Sequence, residues 1–228
     1  MNPWNELNPW NELNPWNEPN PWNELHRVDE TASTRFLLAR ARRNLVTRRG
    51  LAYDLSAPAA VYVALGSNLG DRLGTLQSVA RELRDGAVPG TALVRSSPVF
   101  ETRPLGPSTW AYLNAVVELR TVAEPPALLS ALQDLELRHG RTRRERWEAR
   151  TLDLDILVWM AAGVELECET PGLRLPHPEI GRRDFVLAPL AALAPDLRPG
   201  GARTISELLA ALAPSDRTIV AQVAEHLC

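Results

Sequence analysis

Two aspartates set one residue apart behind a run of arginines are the side chains in this sequence best suited to chemistry. Residues 141–157 read RTRRERWEARTLDLDIL, with Arg141, Arg143, Arg144, Arg146 and Arg150 within ten residues and Asp153 and Asp155 directly after them. Strand side chains alternate faces, so Thr151, Asp153, Asp155 and Leu157 point one way while Leu152, Leu154, Ile156 and Val158 point the other and can be buried. Carboxylates at i and i+2 then lie about 7 Å apart, close enough to share hard cations with the oxygens of a polyphosphate. Magnesium is the natural metal. An Asp-x-Asp triplet alone also suits the solvated face of a strand, and an arginine run alone suits a solvated face or a nucleic-acid patch. Their adjacency is what points to a polyphosphate held between guanidinium groups and metal ions. The aspartates would repel a nucleic-acid backbone unless metals intervened, and a net charge of −3 supplies no excess of positive charge elsewhere. A nucleoside triphosphate therefore ranks above RNA or DNA, with Trp147 offering a flat face for a base, a ring or a guanidinium.

Other mechanisms lack their residues. All 25 basic residues are arginine, so a P-loop with its phosphate-binding lysine is absent. Gly66-Ser67-Asn68-Leu69-Gly70 does not match the dinucleotide fingerprint and is read as a turn that lets backbone approach a ligand or caps the next helix. No Cys/His cluster has zinc spacing and no serine nucleophile elbow occurs. Two further segments could contribute. The stretch from Thr102 to Asn114 joins a proline-stiffened loop to Tyr112 and Asn114, whose ring and amide suit a flat heterocycle. His177, Arg182, Arg183 and Phe185 follow a proline-defined turn, where contact with a phosphate is expected.

The elements that must position these groups follow from periodicity. AAVYVAL is read as a buried strand, followed by a helix from about Leu73 to Arg84; ALVRSSPVFET and YLNAVVELRT are read as strand regions. PPALLSALQDLELRHG has proline at its start and Gly140 past its end, the expected helix asymmetry. The Asp153 strand comes next, then a loop into a helix over FVLAPLAAL, and a last helix within residues 202–212. Strand pairs too closely connected for a wholly parallel sheet indicate an α+β sandwich around a mostly antiparallel sheet. Residues 57–200 are expected to form the catalytic-type domain and 201–228 a C-terminal helical extension. Residues 2–25 are four NPWNEL-type hexapeptides carrying four of the seven tryptophans; a proline every sixth residue stops any helix, so disorder is expected. Residues 26–50, with seven arginines, are read as a short basic helix, and 1–56 as a whole as a disordered or partly helical extension. The two cysteines, Cys168 and Cys228, build no disulfide framework, no hydrophobic leader opens the chain, and no apolar run approaches the ~18 residues of a membrane helix. A reducing cytoplasm is the expected setting.

Taken in order, LGSNLGDR, SSPVFETRPLG, YLNAVVEL, LELRHGRTRRERW, RTLDLDILVW and LPHPEIGRRDFVLAPLAALAP resemble the 6-hydroxymethyl-7,8-dihydropterin pyrophosphokinases, ATP-dependent transferases of folate biosynthesis, over about Val61 to Leu197. The resemblance implies a ferredoxin-like three-layer α/β/α sandwich and transfer of the terminal pyrophosphate of ATP to the pterin hydroxymethyl oxygen, with AMP leaving. It implies that Asp153 and Asp155 ligate two magnesium ions, one bridging the α- and β-phosphates and one the β- and γ-phosphates. Arg141, Arg150 and Arg183 would join the aspartates as catalytic groups. ATP would be bound by Gln133, Arg141, Arg150, Ile156, His177 and Arg183, with Leu173 to Leu175 near adenine and ribose. The pterin would meet Gly66, Thr102, Pro104, Leu105, Tyr112, Asn114 and Phe185, and Asn68 and Trp147 would occupy mobile or pocket-forming positions. The implied partners are these two substrates, with no nucleic acid and no membrane, and a monomer as the default state. Arg146-Trp147-Glu148-Ala149-Arg150 stands where the family usually reads Arg-Trp-Gly-Pro-Arg, so altered closure of this loop over ATP is expected. The other reading of the same motifs is a catalytically silent homologue acting as a binding module.

Overall fold

The structure is a computed structural model that describes residues 45–47, 57–104, 110–141 and 150–227. Most of the expected hexapeptide and basic extension, the loop residue Leu105, the arginine-loop residues 142–149 and Cys228 lie outside the described residues.

A long central strand, β2 (Ala59–Ser67), carries apolar side chains on both faces because helices cover both. Ala59, Val61, Val63 and Leu65 face one cluster and Tyr62 the other, the two-residue alternation that a strand imposes. Helix α1 (Arg72–Arg84) starts where the Asp71 carboxylate accepts the Gly74 N–H at 3.0 Å, and Leu76, Val79, Ala80 and Leu83 form its buried stripe. Strands β3 (Thr91–Ser96) and β4 (Phe100–Thr102) follow as two pieces of one sheet edge against β5 (Tyr112–Thr121). The edge breaks at Pro98, which has no N–H, and Ser97 bridges the gap: its N–H donates to the Val116 carbonyl and its Oγ accepts the Val116 N–H, both at 2.9 Å.

Helix α2 (Pro125–Arg138) begins on proline and ends before Gly140, whose φ of 79° takes the chain out of the helix. Leu128, Leu132 and Leu135 pack it beside α1 on the same sheet face. Strand β6 (Asp153–Ala161) then inserts beside β2. The core order β3-β5-β2-β6, with α1 and α2 on one face, is the ferredoxin-like arrangement. On the other face, helices α3 (Asp184–Leu193) and α4 (Ile205–Ala210) bury Val186, Leu187, Leu190 and Ile205 against Tyr62, Val116, Leu157 and Val158. The result is a three-layer α+β sandwich, and every strand pairing among the described residues is antiparallel.

Four local readings are corrected. Val158 does not share a face with Leu152, Leu154 and Ile156: the β2–β6 register shifts between Tyr62 and Val63, leaving Leu157 unopposed and turning Val158 toward α3 and Trp159 toward α1 and α2. Residues 164–175 form β7 (Val164–Thr170) and β8 (Leu173–Leu175), a region not read as strand from sequence. A two-residue turn with positive φ at Ala162 (47°) and Gly163 (76°) joins β6 to β7, the twist that tight hairpins favour. Within the supposed disordered or helical extension, β1 (Leu45–Thr47) pairs with β7. Finally, residues 201–227 are not a helical appendage: after α4 the chain adds β9 (Ile219–Gln222) to the sheet beside β4 and buries Leu227 in the core. No helix among the described residues is long and apolar enough to cross a membrane.

Candidate active site

The sheet face toward α3 holds a cavity of ≈440 Å³ at the end of β2. Its floor is β2, where Ala64 and Gly66 keep the surface low: Ala64 lies opposite Asp155, and Gly66 lies between Asp153 and Asn114. A Cβ on Gly66 would stand 3.4 Å from Asn114 Oδ1 and 3.9 Å from Asp153 Cβ, so anything larger would occupy the cavity itself.

One end of the cavity is charged. Asp153 and Asp155 share the cavity face of β6, as strand alternation requires, and Leu157 continues that face. Asp153 is held on both oxygens: Arg141 reaches Oδ1 and Arg150 reaches Oδ2, each at 2.7 Å. Arg141 also pairs with Glu136, a carboxylate buried on the inner stripe of α2 that accepts the Leu154 N–H at 2.7 Å. Burial raises the Glu136 pKa, against the lowering effects of that N–H and of Arg141. Arg150 is fixed through its backbone, since its N–H donates to Asn68 Oδ1 at 2.6 Å and its carbonyl accepts the Asn68 N–H at 3.1 Å. Asn68 is only 2% exposed, so this clamp couples the loop after β2 to the segment that presents Arg150.

Asp155 has solvent access through the cavity mouth but protein around it at larger radius. This desolvation, followed by repulsion from Asp153, raises its pKa, while His177, Arg141 and Arg150 pull it down. Desolvation lowers the pKa of His177, with Asp155 acting in the opposite sense. Nδ1 of His177 accepts the Glu179 N–H at 3.2 Å, so the neutral ring carries its proton on Nε2 as a donor. Arg183 completes this end and sits over the Phe185 ring, 5.7 Å from its centroid.

The other end is flat and amphipathic. Asn114 Nδ2 donates to Thr102 Oγ1 at 2.8 Å, which leaves Oδ1 facing the open side of Gly66. Phe185 and Val186 at the start of α3 and Tyr112 at the start of β5 line this part. Burial keeps the Tyr112 phenol protonated, raising its pKa. Arg72, at the start of α1, donates to Glu101 Oε1 (3.0 Å) and to the Ala111 carbonyl (2.8 Å), pinning both ends of the connection between β4 and β5.

The sequence model of the 7,8-dihydro-6-hydroxymethylpterin-pyrophosphokinase (HPPK) family matches residues 62–195. The chain belongs to the HPPK family. A relative from Pseudomonas aeruginosa described as a 2-amino-4-hydroxy-6-hydroxymethyldihydropteridine pyrophosphokinase is 46% identical over 152 residues, covering 66% of this chain and 90% of the relative. Relatives with the same description from Synechocystis (39% over 148 residues; 64% of this chain, 73% of the relative) and Bacillus subtilis (41% over 133 residues; 58% and 76%) are similar too. A solved HPPK-DHPS of Plasmodium falciparum superposes with a TM-score of 0.51 at 14% identity, over 68% of this chain and 46% of that one. The chain spans less than half the length of that protein, and the likeness is one of fold.

Of the residues singled out in sequence, Gly66, Thr102, Tyr112, Asn114, Arg150, Asp153, Asp155, His177, Arg183 and Phe185 line this HPPK cavity together. Arg141 stands behind it, on Asp153. The cavity lining does not include Gln133, half-buried on α2, or Pro104, and the side chain of Ile156 is a core residue on the opposite sheet face, 3% exposed. The buried side chain of Ile156 is where strand alternation puts it, with Leu152 and Leu154. Leu105, Trp147, Glu148 and Ala149 lie outside the described residues. Sequence reasoning passed over Ala64, Arg103, Glu179 and Val186 in the lining and Glu136 behind it. Glu136 had a signal: at i+4 from Leu132 and i+8 from Leu128, it puts a charge on the apolar stripe of its helix.

Proposed function

We propose that the charged end of the cavity takes the triphosphate of ATP and the flat end takes the pterin, so that the two substrates meet over Gly66. The chain transfers pyrophosphate from ATP to 6-hydroxymethyl-7,8-dihydropterin, the reaction of its family in folate biosynthesis. The observation that carries the assignment of ends is one continuous cavity with Asp153, Asp155, Arg150, His177 and Arg183 at one end and Asn114, Thr102 and Phe185 at the other.

The donor set fits magnesium held jointly with substrate. Among the described residues no group of three or more His, Cys, Asp or Glu gathers to cage a metal, whereas two neighbouring carboxylates with phosphate oxygens completing the shell suit this ion. Asp153 and Asp155 would hold it, and bound there it would neutralise phosphate charge and favour ionisation of the pterin hydroxyl. Both oxygens of Asp153 are engaged by Arg141 and Arg150. Arrival of the triphosphate gives these guanidinium groups phosphate oxygens as alternative partners, releasing the carboxylate. Glu136 keeps Arg141 in place during this exchange. His177 donates its Nε2 proton to a nucleotide oxygen, and Arg183 faces the transferred group from the α3 side. Asn114 Oδ1 accepts from an N–H of the heterocycle while Phe185 and Tyr112 provide its stacking surfaces.

The deciding assay mixes the protein with Mg-ATP and 6-hydroxymethyl-7,8-dihydropterin and separates the nucleotides. AMP is the expected product. ADP would reject pyrophosphoryl transfer, and no product would point to a silent homologue.

A further inference from the structure

The C-terminal segment is fastened to both walls of the heterocycle end at residues 217–219, with Thr218 at the centre. Thr218, 6% exposed, lies just before β9. Its carbonyl accepts the Arg103 N–H at 2.9 Å, and Arg103 Nη2 also donates to the neighbouring Arg217 carbonyl at 2.9 Å. Its own N–H and hydroxyl donate to Asp184 Oδ2 and Oδ1 at 2.5 and 2.6 Å, and Ile219 N–H joins Oδ2 at 2.8 Å. Asp184 is 3% exposed and sits between Arg183 and Phe185, whereas Arg103 follows Thr102; all four of these neighbours and wall residues other than Asp184 line the cavity.

We infer that Thr218 and Asp184 are positioning residues which set the spacing between the Phe185 wall and the Thr102 edge, and through it the affinity for the heterocyclic substrate. The inference rests on the assignment of that end of the cavity to the pterin. Three donors converging on one buried carboxylate form a rigid link, because each bond to a charged acceptor is stronger than a neutral one and an unpaired buried carboxylate is costly. The link is continued by the pairing of Ile219 with Thr102 and of Ala221 with Glu101, by the Val223 N–H on the Val99 carbonyl at 2.8 Å, and by Leu227 in the core. A slip of the C-terminal strand therefore moves Thr102 and its partner Asn114 relative to Phe185.

The test uses the full-length chain with Thr218→Val, which deletes only the hydroxyl bond, and Thr218→Ser, which keeps it. The readouts are the KM for each substrate, equilibrium binding of 6-hydroxymethyl-7,8-dihydropterin followed by its fluorescence, and the Tm. Thr218→Val is expected to raise the pterin KM and Kd about fivefold to tenfold, below the roughly hundredfold that a full ångström of misplacement can cost. Its ATP KM should move no more than about twofold, and Thr218→Ser should match the parent chain. Asp184→Asn, which loses the charge but keeps the volume, should shift pterin binding further in the same direction. A lower Tm with unchanged pterin KM and Kd in Thr218→Val would mean a purely structural link and overturn the inference, as would equal shifts in Thr218→Ser. An unmodified chain that binds no pterin overturns the assignment of the cavity itself, whereas the other two results leave that assignment standing.

Discussion

Gly66 offers a perturbation in which stability and activity should part company. It lies in the interior of the central strand, paired with Asn114 on one side and Asp153 on the other, and its backbone is not in the left-handed region. A single added carbon would meet Asn114 Oδ1 at 3.4 Å and Asp153 Cβ at 3.9 Å, ordinary contact distances, so Gly66→Ala fits the fold. Replacing a strand-interior glycine by alanine stabilises by about 0.5–1 kcal/mol, which for a domain of this size is about 1–4 °C in Tm. Gly66→Val also fits the strand, but its γ-carbons project into the space proposed to hold the heterocycle. Displacing the ring by about 1 Å costs about 10²-fold in kcat/KM, equal to about 2.7 kcal/mol of transition-state stabilisation. The assay is AMP release at saturating Mg-ATP with the pterin varied, run beside thermal unfolding. Gly66→Val should lose about 10²-fold in kcat/KM for the pterin while its Tm equals or exceeds that of the parent chain, with Gly66→Ala between the two. Parent-like kcat/KM in Gly66→Val would refute the placement of the ring over this floor. A substantial drop in Tm for Gly66→Ala would refute the packing argument.

Two further substitutions test the charged end. Asp155→Asn should cut AMP formation by about 10³-fold or more, since it removes one of the two carboxylates proposed to hold the metal, and far-UV circular dichroism should show the fold intact. Its effect on stability depends on pH. Burial and Asp153 raise the Asp155 pKa in the folded chain, so this group favours folding below its ordinary carboxylate range and loses that contribution as pH rises through the raised value. In chelator, Asp155→Asn should therefore have the higher Tm at neutral pH, and the gap should close as the pH falls toward about 4; a gap that widened on acidification would contradict the sign. Asn68→Ala strips the Arg150 N–H of a 2.6 Å acceptor in a buried setting, at a cost of about 1–3 kcal/mol. A lower Tm with a raised ATP KM and an unchanged pterin KM is expected, and an effect confined to the pterin KM would sink the coupling between Asn68 and the phosphate end.

The chain's local chemistry was readable wherever periodicity or spacing carried it. The TLDLDIL alternation put Asp153 and Asp155 on one face without any tertiary information, because neighbouring strand residues cannot share a face. Pro125 and Gly140 bracketed α2 through their own backbone limits, and the stripe of Leu76, Val79, Ala80 and Leu83 identified α1 by the helical repeat. The order of the motifs along the chain was likewise enough to recognise the HPPK family resemblance. Tertiary structure decided what depends on register and on distant partners. The shift opposite Leu157 that sends Val158 to α3 arises from how β2 and β6 pair, and neither sequence announces it. Glu136 and Arg141 meet Asp153 only after α2 packs beneath β6, and Thr218 joins Asp184 to Arg103 only after the chain returns from α4 to the sheet edge. Residues 34 to 115 positions apart have no local pattern linking them; packing and hydrogen-bond satisfaction in the folded chain bring them together.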